Sequence, residues 1–422
     1  MKLCTFCLCA ALLLALSACA APDPGSASRP EPSGPVSAAP SETPEPAPTS
    51  TPEPTPAPDP IQTQLDGMTT EQKVGQLLLA GISGTEAGDD ARYAVETVQV
   101  GGIILFGRNV ESCAQAVRLT NGLRAMNGEH IPLFLAVDEE GGSVSRMPEE
   151  IDPLPAAYTF GAQGDPALCR ELGTVLAARC GALGANLDFA PVADVWSNPD
   201  NTVIGKRAFS SDPDTAARMA AETAAGLTDG GVIPVAKHFP GHGDTAADSH
   251  YDLPVVDKTP DELEALELIP FRTAVEKGAP AVMVAHLLVT ALDAEHPASL
   301  SPAVVTGLLR EELGFDGVVF TDDLTMGAVT GRYGVGEAAV LAVEAGCDVL
   351  LVCHGQDELR QAYEALLAAV DSGRVTAERL DEGVYRILKL KSDYALTNAP
   401  AAEPDTESVN RQTAELRQWL QG

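Results

Sequence analysis

Eight short, β-rich apolar runs, each followed by a segment with helical patterning, set the narrowest limit on what this chain folds into. They are residues 74–82, 102–106, 133–137, 186–190, 233–238, 281–286, 317–321 and 348–353. Between them lie stretches with helical spacing, such as 114–126, 166–183, 215–227, 260–276 and 303–313. Several open on the Ser, Thr, Asp and Pro punctuation of a helix start, as in Ser211-Asp212-Pro213 and Thr259-Pro260-Asp261. Strand–helix alternation implies parallel strands joined by crossovers. Eight such units in about 330 residues fit a single (β/α)8 TIM barrel of the α/β class. An open doubly wound sheet shares the local pattern, because periodicity does not report closure.

The ends of the runs sharpen this expectation. Polar residues gather where the runs stop: Asp138, Asp188 and Asp194, Lys237 with His238, His286, Asp322 with Asp323, and His354. The strand interiors are apolar, and the C-terminal strand ends of such a barrel form its active face. A catalytic mouth is therefore expected there.

The rest of the chain has a different character. Residues 1–19 carry Lys2, a small-and-apolar run too short to span a bilayer, and then Leu16-Ser17-Ala18-Cys19, which reads as a signal segment. Its last four residues resemble the bacterial lipobox, and the resemblance implies lipidation of Cys19. The expected location is outside the cytoplasm, lipid-anchored to the cell membrane and facing the extracellular or periplasmic side. Residues 20–60 hold 14 of the 32 prolines and almost no large apolar side chain, so they are expected to be a disordered linker. As a polyproline II spacer it would reach about 100 Å. The globular region is 61–395, and 396–422 is a tail with a short helix expected around 413–420.

Sixty acidic against 27 basic side chains, a net charge of −33, argue against nucleic acid or electrostatic adhesion to anionic lipid. The five cysteines beyond the leader and its lipobox (Cys113, Cys169, Cys180, Cys347 and Cys353) are odd in number and lack metal-type spacing, so buried free thiols are expected. Oligomeric state is not legible.

The most informative segment is Lys237-His238-Phe239-Pro240-Gly241-His242-Gly243-Asp244-Thr245-Ala246-Ala247-Asp248-Ser249-His250. It runs from a strand end into a loop that holds three of the chain's seven histidines. His238, His242, Asp248 and His250 are all conceivable metal ligands, but neither an H-x-H pair nor an H-E-x-x-H helix is present. No metal and no cofactor are expected. The loop resembles the signature of glycoside hydrolase family 3, in its bacterial β-N-acetylglucosaminidase branch. Four further motifs match in order: Val137-Asp138-Glu139-Glu140-Gly141-Gly142 with Arg146; Asn186-Leu187-Asp188-Phe189-Ala190-Pro191-Val192; Ile204-Gly205-Lys206-Arg207-Ala208-Phe209; and Thr321-Asp322-Asp323-Leu324-Thr325-Met326. Ser143 departs from the family pattern, where Arg is common.

The resemblance implies a retaining mechanism on a TIM barrel, with Asp322 as nucleophile and His250 as acid/base partnered by Asp248. It further implies that Asp138, Arg146, Arg207, Lys237, His238 and Met326 bind the sugar. The chain has no room for the second domain of glucoside-acting members, which favours the N-acetylglucosaminidase branch. The chemistry is sound on its own terms. Retention needs a carboxylate at one face of the anomeric carbon and a proton donor at the leaving oxygen. Asp322 ends a strand, whereas Asp323 points the other way by alternation and suits a capping role. Histidine titrates near working pH, and Asp248 could orient its ring. A histidine donor also repels an anionic acceptor less than a carboxylate would, so phosphorolysis stands beside hydrolysis. The basic cluster reads equally as ion-pair partners for Asp138, Asp188 and Asp194.

Three rivals have stated discriminators. A lipid-anchored solute-binding protein would share leader, tether and α/β body but release nothing from a chromogenic sugar. A barrel metallohydrolase would lose activity to a chelator. A β-glucosidase of the same family would prefer the glucoside.

Overall fold

The computed structural model describes residues 59–245 and 253–421. Cys19, the remainder of residues 1–58, and the pair Asp248 and His250 lie outside the described residues.

Each of the eight apolar runs contains a strand: β1 (Leu78–Gly81), β2 (Gly102–Ile104), β3 (Phe134–Val137), β4 (Leu187–Asp188), β5 (Ile233–Phe239), β6 (Ala281–Val284), β7 (Val318–Asp323) and β8 (Val349–Val352). All neighbours are parallel, and β8 returns to pair with β1, with Leu78 opposite Leu350 and Ala80 opposite Val352. The ring is closed. That closure, invisible to local periodicity, excludes the open doubly wound sheet and makes the fold a (β/α)8 barrel.

Aromatic rings fill the interior. Phe320 on β7 lies 6.1 Å from Phe134 on β3 and 5.6 Å from Phe189 just past β4, both edge-to-face. Because β3 and β7 stand on opposite sides of the ring, these contacts cross the barrel axis. The floor beneath them is closed by Lys391 of the helix Ala377–Asp393. Its buried ammonium donates to Gln76 Oε1 and the Gly101 carbonyl, both at 2.8 Å, and lies 4.6 Å from the Phe134 ring.

Three elements depart from the sequence expectation. Residues 74–76 end a helix, Thr70–Gln76, whose start is fixed by a reciprocal capping box between Thr69 and Gln72, so the first strand begins only at Leu78. The expected helix over 260–276 is two, Pro260–Glu264 and Leu268–Glu276. Pro270 lacks an N–H and would clash inside a continuous helix, but it is accommodated in the first turn of a new one. In the tail the helix is Thr406–Trp419, longer than expected, opened by the Asp405 carboxylate accepting from the Ser408 N–H. It buries Val409, Thr413 and Leu416, and Asn410 ties it to Glu150 and Asp152. The five cysteines beyond the leader are buried free thiols, as expected. Among the described residues no helix is long and apolar enough to cross a membrane.

Candidate active site

The C-terminal strand ends open on a cavity of about 370 Å3. Asp138, Arg146, Arg207, Lys237, His238, Asp322 and Met326, named separately from the sequence, all line it. A larger groove of about 970 Å3 runs between outer helices and the N-terminal ends of β6 and β7. It is walled largely by alanine, proline and surface ion pairs, and none of the strand-end cluster reaches it.

The pocket wall is a chain of alternating charge. Arg146 Nη2 donates to Asp138 Oδ2 at 3.1 Å, and Lys237 Nζ donates to Asp138 Oδ1 at 2.8 Å. The same ammonium stands 2.7 Å from Glu140 Oε1, and Arg207 forks onto both oxygens of Glu140 at 2.8 Å each. Lys237 reaches Asp138 across β4 from the C-terminal part of the longer strand β5. Burial alone would raise the Asp138 and Glu140 carboxyls, yet Lys237 with Arg146, and Arg207 with Lys237, outweigh it and hold both below the ordinary carboxylate range. Burial likewise pulls the Lys237 ammonium down, but Asp138 and Glu140 raise it. Among the described residues the buried Arg146 Nε has no hydrogen-bond partner.

Beside this chain stands a histidine pair. His238 Nδ1 lies 2.7 Å from Asp194 Oδ2, while Asp194 Oδ1 accepts from the His242 N–H at 2.6 Å. The two rings meet edge-on at 6.0 Å. Two glycines permit the tight path between them. Gly241 has φ +126°, where a Cβ would press on Glu267, and at Gly243 a Cβ would lie 1.7 Å from the Val195 carbonyl oxygen. The described flanks of the segment that carries Asp248 and His250 are joined, since Lys258 Nζ is 2.9 Å from Asp244 Oδ2 and also pairs with the buried Glu267.

Asp322 and Asp323 both border the pocket and differ in their partners. Both oxygens of Asp323 are occupied: Oδ1 accepts from the Thr325 and Cys353 N–H groups at 3.0 Å each, and Oδ2 from the Thr325 hydroxyl at 2.6 Å. Asp322 is half-buried in the pocket, with Oδ1 accepting from the Asp323 N–H at 2.8 Å. Burial would raise its carboxyl, but His286 and His238 when protonated, the Asp323 N–H and the Lys237 ammonium outweigh it and keep it below the ordinary range. The pocket therefore presents an ionised carboxylate facing a wall of fixed donors. That arrangement can attack an electrophilic carbon while holding a polyhydroxylated ring.

Of the other strand-end residues, Asp188 is fully buried beneath the site, accepts from the Glu139 N–H at 2.9 Å, and is pushed well above its usual range by that burial. It binds neither Arg nor Lys directly, so the ion-pair reading holds for Asp138 and, through His238, for Asp194. Sequence reasoning missed Glu140 and Glu139. Both lie in a quoted motif, yet only Glu140 faces the pocket. Glu139 turns inward to the fully buried Arg179 at 2.9 Å and anchors the turn that carries Arg146. Phe106 was missed as well; the Arg108 guanidinium packs over its ring and His354 against it. Ser143 is exposed in that turn and does not line the pocket. Among the described residues no group of three or more His, Cys, Asp or Glu could hold a metal ion.

Comparison with known proteins places this geometry. Residues 69–390 match the Glycosyl hydrolase family 3 N terminal domain. A beta-hexosaminidase of Thiobacillus denitrificans is 40% identical over 283 residues, covering 66% of this chain and 78% of that protein. A beta-hexosaminidase of Nitrosomonas eutropha is 36% identical over 322 residues, covering 74% of this chain and 91% of the relative. Among solved structures, a glycoside hydrolase family 3 beta-N-acetylglucosaminidase from Paenibacillus sp. superposes with a TM-score of 0.80 at 44% identity, covering 83% of this chain and 68% of that one.

Proposed function

The chain belongs to glycosyl hydrolase family 3, and from that premise we propose that it is a retaining exo-β-N-acetylglucosaminidase acting on terminal β-linked N-acetylglucosamine of cell-wall or chitin-type oligosaccharides. The observation that carries the reading is Asp322: an ionised carboxylate at the end of β7, in a pocket whose Arg146, Arg207, Lys237 and His238 are already set by Asp138, Glu140 and Asp194. A solute-binding protein would need no such carboxylate.

In this mechanism Asp322 attacks the anomeric carbon from the face opposite the leaving oxygen. An ester bond to carbon forms as the glycosidic C–O bond breaks, and His250, partnered by Asp248, gives its proton to the departing oxygen. The now neutral imidazole then takes a proton from water as that water displaces Asp322 and frees the sugar. Asp138, Arg146, Arg207, Lys237, His238 and Met326 hold hydroxyls and the acetamido group. Lipidation of Cys19 would anchor the enzyme to the outer side of the cell membrane.

The test compares kcat/KM for an aryl β-N-acetylglucosaminide and the matching β-glucoside. A clear preference for the acetamido sugar is expected, and equal or better turnover of the glucoside overturns the specificity. The beta-hexosaminidases among the relatives support a hexosaminide substrate, and the Paenibacillus beta-N-acetylglucosaminidase supports the acetamido sugar.

A further inference from the structure

Asp322 stands on a stretch of β7 where the ladder to the neighbouring strand is irregular, although Asp323 is again opposite Leu351. β6 and β7 remain in register as far as Val284 and Thr321. On the other side, the β7–β8 register slips between Val349 and Leu351. An irregularity of this kind re-aims the side chain it carries, but it leaves the backbone without its usual partners. Side chains take over on the β8 side: Thr321 Oγ1 accepts from the Leu351 N–H at 3.1 Å, and Asp323 Oδ1 from the Cys353 N–H at 3.0 Å.

On the β6 side the holder is His286. Its ring is fully buried and does not line the pocket. Nε2 lies 3.0 Å from the Asp323 carbonyl oxygen, and Nδ1 lies 2.6 Å from Ser299 Oγ. A carbonyl oxygen only accepts, so Nε2 must carry the proton and donate. That bond is the same in either charge state of the ring; in the neutral ring, which burial favours, Nδ1 accepts from the Ser299 hydroxyl, which selects that tautomer. Ser299 is itself fully buried, and its N–H donates to the Ala285 carbonyl at 3.2 Å, so the hydroxyl has a fixed origin. The hydroxyl fixes the ring, and the ring fixes the carbonyl of the residue next to Asp322.

We propose that His286, locked by Ser299, is the positioning residue that sets where the Asp322 carboxylate stands in the pocket. The inference rests on reading Asp322 as the nucleophile. His286 does not line the pocket, so its loss should leave KM alone and slow every step in which Asp322 attacks or departs. A misplacement of about 1 Å at a reacting group can cost about 10²-fold, which sets the scale.

The test uses the full chain and four variants: His286→Ala, His286→Gln, Ser299→Ala and Asp322→Asn. Steady-state kinetics on a dinitrophenyl β-N-acetylglucosaminide are measured beside the rate of covalent trapping by a 5-fluoro N-acetylglucosaminyl fluoride. Neither leaving group needs a proton, so the trapping rate reports attack by Asp322, and kcat reports the slower of its attack and its departure. For His286→Ala, kcat and the trapping rate should fall together by about 10²-fold with KM within about threefold of the parent. Ser299→Ala, which keeps the ring but not its lock, should show a smaller loss of the same kind. His286→Gln, whose amide can again donate to the Asp323 carbonyl, should recover part of the loss. If His286→Ala does not fold, Ser299→Ala and His286→Gln still decide. Parent-like kcat and trapping in Ser299→Ala and in whichever His286 variant folds would overturn the positioning role, as would a raised KM with kcat unchanged. If Asp322→Asn turns over normally, the nucleophile reading falls first and the inference with it. If Asp322→Asn is dead while the other variants are parent-like, only the positioning role falls.

Discussion

Glu140 is the anion on which the pocket's cations converge, and Glu140→Gln isolates its contribution. The side chain is almost wholly buried, forked by Arg207 at 2.8 Å and touched by Lys237 at 2.7 Å. Glutamine keeps the shape and one acceptor but removes the charge. Lys237 retains Asp138, whereas among the described residues Arg207 keeps the Val203 carbonyl and a long contact to His238. Removing one partner of a buried pair costs about 3–5 kcal/mol, because the other charge stays buried and uncompensated. Unfolding entropy of about 2.1 cal/mol/K per residue over the roughly 360 described residues amounts to about 0.8 kcal/mol/K. The expected fall in Tm at pH 7 is therefore about 4–6 °C. Acid should narrow the gap. The folded Glu140 carboxyl is held below its ordinary range, so its stabilisation is complete above the unfolded value of about 4.3 and is lost as pH falls toward the folded value. Each pH unit below about 4.3 should remove about 1.4 kcal/mol, or about 2 °C, of the difference between parent and variant. Paired thermal melts followed by circular dichroism at pH 7 and pH 3.3 measure both quantities. A drop under about 1 °C at pH 7, or a gap that acid leaves unchanged, refutes the assignment of Glu140 as the charge that holds the wall.

Asp188 should behave in the opposite sense. Its folded carboxyl is raised by burial, so the folded state keeps a proton that the unfolded state loses above about pH 3.9, and this costs stability as pH rises. Asp188→Asn should raise Tm at pH 7 with the gain vanishing below about pH 4; a loss of Tm at pH 7 would show the carboxylate to be ionised and useful. His250→Ala should lose about 10²–10⁴-fold on a natural disaccharide, whereas a dinitrophenyl glycoside should give a burst followed by a slow phase that azide accelerates. Equal losses on both substrates with no burst would remove His250 from the acid/base role. Cys19→Ser should shift the protein from the membrane fraction to the soluble exported fraction, and unchanged fractionation contradicts lipidation at that residue.

Much of the architecture was legible because a parallel strand is a local event. Eight runs could be found by composition alone, and all eight are strands. The misplaced start of the first run had a local cause that was also legible. Thr69 and Gln72 have capping-box spacing, and the apolar Val74 is the last turn of that helix, not the first residue of a strand. Closure was the one global fact that no window contains, since it depends on β8 meeting β1 about 270 residues away along the chain. Once the ring closes, every strand end faces one mouth. Residues named from separate strand ends, among them Asp138, Lys237 and Asp322, then become neighbours without further information.

What stayed hidden is which charge meets which. Asp138, Glu140 and Asp188 are three acidic residues in or beside adjacent strands, all buried or nearly so, and no local feature separates them. Their fates differ because cations reach two of them and not the third. Arg207 comes from a turn 67 residues beyond Glu140, and Lys237 lies 99 residues beyond Asp138. Asp188 sits one layer deeper, where the groups that meet it are the Glu139 N–H and the Cys180 thiol. The same logic separates Glu139 from Glu140, consecutive in sequence, of which one pairs with Arg179 in the interior and the other with Arg207 and Lys237 in the pocket. Protonation state in this site is therefore assigned by tertiary pairing across the mouth. A variant that moves Arg207 or Lys237 should change the titration of Glu140 more than any substitution next to Glu140 in the chain.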